Sequence, residues 1–134
     1  MVGLEIVSVS DQNLAFIVRT SFSVAPGIQF FTDSFDNCQL GAMKRSAGHE
    51  VPRHFHFHEK REIDGVFEAL IVRSGRVLVQ FFALDREFVG EKTLVAGDIC
   101  LIQRGGHSVR FLEDSEVLEL KQGPYLGSLD KFKF

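Results

Sequence analysis

Gly48-His49-Glu50-Val51-Pro52-Arg53-His54-Phe55-His56-Phe57-His58 holds four of the five histidines in a chain of 134 residues. Successive side chains on a strand point to opposite faces, so residues two apart share one. As a strand, this stretch puts His54, His56 and His58 on one face and Phe55 and Phe57 on the other. Same-face neighbours then stand roughly 7 Å apart, close enough for two imidazoles to converge on one ion. The simpler reading has the phenylalanines facing the core and the histidines facing water.

Later residues add to the histidine cluster. Five residues separate Gly48 from His54, one separates His54 from His56, eleven separate His56 from Glu68, and six separate Glu68 from Gly75. This spacing resembles the first motif of the cupin superfamily: glycine, five residues, His-x-His, three or four residues, glutamate, six residues, glycine. The long gap before Glu68 departs from it and reads as an excursion between two strands, with Asp64-Gly65 as a turn signal. Gly97-Asp98-Ile99-Cys100-Leu101-Ile102 resembles the opening of the second cupin motif. There Gln103 replaces the usual proline, Gly105 keeps the glycine, and His107 comes one residue early. The resemblance spans about Gly41 to Gln122. The run Leu118-Glu119-Leu120-Lys121-Gln122-Gly123-Pro124-Tyr125-Leu126-Gly127 is similar to the ending of a group of small single-domain bacterial cupins.

The resemblance implies an all-β, cupin-type double-stranded β-helix, a jelly-roll barrel with little or no helix. It divides the single domain 1–134 into N-terminal strands (1–40), a barrel core (41–122) and a tail (123–134). It also implies a divalent transition metal (Fe, Mn, Ni, Cu or Zn) held by His54, His56, Glu68 and His107. His58 is an alternative ligand or a base beside the metal. Three residues at a period of two span roughly 13–14 Å on a strand, whereas metal–nitrogen bonds are only about 2.0–2.1 Å for zinc. One regular strand thus serves two ligands more easily than three, which favours His107 over His58. A one-residue change reverses side-chain direction on a strand, and His107 stands one residue earlier than the motif places its histidine.

Composition sets the outer bounds. The chain is 45% hydrophobic with 14 phenylalanines and no tryptophan, which suits one strand-rich domain. A net charge of −3 gives no basic patch for nucleic acid. No apolar run reaches the roughly 18 residues of a membrane span, and Met1 to Ser10 lacks the features of a signal peptide, so a cytoplasmic location is expected. Cys38 and Cys100 form neither a C-x-x-C pair nor a disulfide framework, and Cys100 reads as a small core residue.

Strands are expected at Leu4 to Val9, Leu14 to Arg19, Ile28 to Thr32, Cys38 to Lys44, Phe67 to Arg73, Arg76 to Ala83, Phe88 to Val95, Ile99 to Gln103, His107 to Leu112 and Val117 to Lys121. Ser74-Gly75 reads as a hairpin turn. Many short strands with turn signals between them indicate a sandwich or barrel. Glu59-Lys60-Arg61-Glu62 reads as a solvated loop face; Arg61 is also a candidate contact for an acidic substrate, and with His58 a candidate catalytic group.

Three function classes follow. One is a metal-dependent enzyme acting on a small polar molecule, of oxygenase, isomerase or lyase type. Another is a metal-free cupin that binds a sugar or sugar nucleotide and uses a histidine as base. The last is a sensor or other small-ligand-binding protein without chemistry. A homodimer is expected as well, because inward-pointing His54 and His56 leave Phe55 and Phe57 as exposed apolar area.

Overall fold

Ten strands form in a computed structural model that describes residues 1–134. They are β1 (Leu4–Val9), β2 (Gln12–Val18), β3 (Gly27–Phe30), β4 (Gly41–Lys44), β5 (Glu68–Ser74), β6 (Arg76–Phe82), β7 (Phe88–Val95), β8 (Ile99–Ile102), β9 (Gly106–Phe111) and β10 (Glu116–Lys121). The only helical element is a 3-10 turn at Gly127–Leu129. The protein is therefore all-β. No helix is long and apolar enough to cross a membrane.

Three antiparallel sheets form: β1-β2-β8-β5-β10, β7-β6-β9 and the β3-β4 hairpin. They do not close into a single barrel. The two larger sheets share a core. Val7, Ala15, Ile17, Leu70, Val72, Cys100 and Ile102 come from one, and Val77, Val79, Phe81 and Leu94 from the other. Cys100 is fully buried as expected, and burial pushes its thiol up to about 12.

Two local expectations fail. Ser74-Gly75 does not turn a hairpin, since β5 pairs with β8 and β10 while β6 pairs with β7 and β9. The turn instead carries the chain from one sheet to the other. Gly75 has φ +83 there, and a Cβ on it would meet Ser115 Oγ at 2.1 Å. The second failure is the histidine strand. No strand lies between Lys44 and Glu68, and every residue from 45 to 66 is exposed. Phe55 is 100% and Phe57 86% exposed, so neither ring finds a core. Strand preference reflects a pleated surface with one face buried. Here alternation is present and the buried face is not.

Asp98, in the turn between β7 and β8, is a buried carboxylate that joins the sheets. Its Oδ2 accepts hydrogen bonds from Arg19 Nη1 (2.8 Å) and the Val95 amide (3.0 Å), and its Oδ1 accepts one from the Thr20 amide (3.2 Å). Arg19 also donates to the Thr93 carbonyl (2.6 Å) and to Glu5, and Glu5 accepts from Lys92 Nζ (2.7 Å). The preceding Gly97 has φ +91, and a Cβ there would approach Thr20 Cγ2 to 2.3 Å. Removing one member of a buried ion pair strands the remaining polar groups. Asp98→Ala should destabilise the fold by about 3 kcal/mol, seen in urea as a lower midpoint with an unchanged slope. A loss below about 1 kcal/mol would show that the network is dispensable.

Candidate functional site

The inner face of the sandwich changes character along its strands. On β5, Leu70 and Val72 are buried on the same face as Glu68, which lies at the start of the strand. On β9, His107 pairs with Phe81 and Val109 with Val79, so His107 faces inward beside core residues. On β10, Glu119 pairs with Leu70 and Lys121 with Glu68, so both turn inward as well. The apolar core thus gives way at one end to Glu68, Glu119, Lys121 and His107. Gly105, in the turn that leads into β9, takes φ +77.

These side chains line a cavity of about 810 Å³, shared with Phe82, Ile102 and the C-terminal segment from Asp130 to Phe134. Glu68 Oε2 lies 3.2 Å from His107 Nε2. That hydrogen bond holds the Glu68 carboxyl down to about 2, against the opposing effect of burial. Glu119 is pushed the other way, first by its hydrogen bond with Glu68 and then by burial. Of the two carboxyls, Glu68 therefore holds its charge more readily than Glu119 and faces the imidazole. Lys121 closes the group by donating to Asp130 Oδ2 at 2.9 Å.

Of the expected ligands, Glu68 and His107 meet, while His54 and His56 stand on the exposed segment. The latter two are neighbours in their own right, with ring centroids 5.3 Å apart. His54 Nδ1 is 2.7 Å from the Pro52 carbonyl, and a hydrogen bond there leaves Nε2 as the free lone pair. His58 and Arg61 lie on the same exposed segment and do not line the cavity; Arg61 reaches only the Glu59 carbonyl, at 3.4 Å.

The donor types suit a first-row transition metal. Two ligands bound at about 2.0–2.1 Å in tetrahedral or right-angled geometry lie about 2.9–3.4 Å apart, and their imidazole centroids about 4.5–5.2 Å apart. The Glu68–His107 separation of 3.2 Å fits that range, and the His54–His56 spacing of 5.3 Å lies just outside it. The two pairs are separate, however, and no group of three such donors is assembled.

Glu119 and Lys121 are not singled out by the sequence, where Val117 to Lys121 reads simply as a strand. The available signal was period two: Glu119 and Lys121 share a face with Val117, and Leu118 and Leu120 take the other. The apolar pair is exposed, at 50% and 59%, and Glu119 is exposed too, while Val117 and Lys121 are half-buried.

A depressed carboxyl pKa contributes stability that is fully present above the unfolded value of 4.5 and is lost as pH falls through the folded value of about 2. Glu119 shifts upward, so its cost applies at higher pH; below 4.5 it is largely protonated in both states and the window belongs to Glu68. In chelator-treated protein, the stability gap between wild type and Glu68→Gln should close as pH drops from 4.5 towards 2. Urea unfolding across that range is the measurement, and a constant gap would refute the pairing. The chain matches no known family, no curated protein and no solved structure.

Proposed function

We propose that this protein is a metal-binding cupin, a jelly-roll protein that acts as a metal-dependent enzyme on a small polar molecule in the cavity. The observation that carries the reading is the contact between Glu68 and His107. The two residues come from separate motif fragments, yet both face inward on different sheets and meet in one cavity.

In this reading the ion is held by Glu68 and His107 on one side and by His54 and His56 on the other. β9 is the last strand of its sheet, and its outer edge carries no partner. A segment pairing along that edge would lie about 4.7–4.9 Å away, and a residue directly opposite His107 would have its Cβ about 4.5–5.5 Å distant. The exposed segment from 45 to 66 is the candidate for that position. A bound divalent ion supplies Lewis-acid polarisation of a substrate oxygen or activation of bound water or oxygen. The chain's own contribution is the ionised Glu68 beside His107, with Glu119 and Lys121 next to it, within a cavity partly walled by apolar side chains. Phe55 and Phe57, turned away from the histidines, are the contact through which two copies associate.

A metal-free reading is favoured by one observation. Glu68 and His107 already partner each other without any ion, at 3.2 Å in the cavity. That suits the sugar- or sugar-nucleotide-binding alternative, with His107 as the base.

Elemental analysis of protein purified without a histidine tag or chelator separates the two. The metal reading expects about one divalent ion per chain, lost in His107→Ala and largely kept in His58→Ala, with both variants folded by circular dichroism. Protein that arrives metal-free and takes up no Fe, Mn, Ni, Cu or Zn would sink it and promote the metal-free reading.

A further inference from the structure

The C-terminal segment forms a charged wall of the cavity. It is seated at several points. Asp130 is paired with Lys121 at 2.9 Å, and the Phe134 ring meets Phe82 edge-on at 5.3 Å. A Cβ on Gly106 would come within 2.9 Å of Phe134 Cζ, so the ring packs directly on the β9 backbone. Arg86 comes from the turn between β6 and β7, where it holds φ +73, an uncommon conformation for a residue with a side chain. Its guanidinium lies 5.1 Å from the Phe132 ring centroid and 6.0 Å from that of Phe134.

The charges around the cavity do not cancel locally. Of the lining carboxylates, Asp130 is matched by Lys121, while Glu68 and Glu119 are bonded to each other, and Glu68 also to His107. Arg86, Lys131 and Lys133 also line the cavity, and none of them is in an ion pair with any carboxylate. Three cations free of ion pairs thus line the cavity in a protein whose net charge is −3, and Lys131 stands near enough to Glu119 to act on it electrostatically. Stacking on the aromatic rings orients Arg86 and leaves its donors available for an anion. The cavity lining is also partly apolar, with Phe82, Ile102 and Val66. A cavity of about 810 Å³ is the size of a drug-like ligand site.

We propose that the cavity binds a small organic anion with an apolar body, its charged group held by Arg86, Lys131 and Lys133 and its other end directed at Glu68 and His107. This inference rests on the cavity being the ligand site, and it names the class of ligand. It does not depend on metal, because none of the three cations is a metal donor.

The test is calorimetric titration of chelator-treated, full-length protein with 2-naphthoate, 2-naphthyl phosphate and the neutral 2-naphthamide. At least one anion should bind more tightly than the amide, and more weakly as salt is added. The double variant Lys131→Glu/Lys133→Glu should weaken anion binding by about tenfold or more and leave the amide unchanged. Arg86→Gln should weaken the anion too, and it covers the case in which the double variant unseats the tail. The preferred anion identifies the headgroup as carboxylate or phosphate. The proposal fails if neither anion outbinds the amide, or if folded charge variants bind the anion as wild type does. Metal content measured on untreated protein from the same preparation keeps the two readings apart, since either can fail while the other stands.

Discussion

Asp98 is 1% exposed and has hydrogen-bond donors on both of its carboxylate oxygens. A buried carboxylate is costly unless it is matched this completely. The match has a structural consequence, because the turn that carries Asp98 joins β7 of one sheet to β8 of the other. Arg19, which follows β2, reaches Asp98, the β7 backbone at Thr93 and Glu5 on β1. Glu5 in turn binds Lys92 on β7. β1 and β7 are the end strands of their sheets. The network therefore fastens one side of the sandwich, and the hydrophobic core between the sheets depends on that spacing.

The opposite end strands, β9 and β10, have no comparable staple. Residues from both line the cavity. The difference follows from what each strand turns inward. β1 and β2 offer Val7, Ala15 and Ile17, whereas β10 offers Glu119 and Lys121 and β9 offers His107. Charged groups next to an apolar core must be paired or reach solvent, so this side remains open and polar. The same setting accounts for the divergent Glu68 and Glu119. Two carboxyls sharing one hydrogen bond cannot both ionise cheaply, and the imidazole decides which one keeps the charge.

Most of the fold could be read from local pattern. All ten strands coincide with expected ones to within a few residues, because alternation and turn residues are local properties. What failed was non-local. Ser74-Gly75 has the composition of a hairpin turn, and composition does not say whether the next strand pairs with the last or crosses to another sheet. The histidine stretch alternates as a strand does, but pairing needs an edge and burial needs a partner face, and neither is written in the stretch itself. Of the four expected metal ligands, the two carried by core strands, Glu68 and His107, came together. The same logic hid Glu119, whose inward direction is set by its register with Leu70.

The exposed segment poses the remaining energetic question. Fixing a backbone costs roughly 1–2 kcal/mol per residue, so ordering about eight residues along the β9 edge costs roughly 8–16 kcal/mol. Burying Phe55 or Phe57 would not offset this, since those rings face away from the site when the histidines face in. Strand hydrogen bonds return only about 0.5–1.5 kcal/mol each. A structural metal, by contrast, contributes about 10–16 kcal/mol at neutral pH, comparable to the ordering cost. In the proposed reading the ion and the segment are therefore linked. There the Glu68–His107 pair, held by core strands, would be preorganised, and the His54–His56 pair would arrive with the metal. Such a site would bind its ion more weakly than a fully prebuilt one, because part of the binding free energy goes into ordering the chain. The carboxylate and imidazole at the cavity end of the core satisfy each other, which is why the core tolerates two polar groups there.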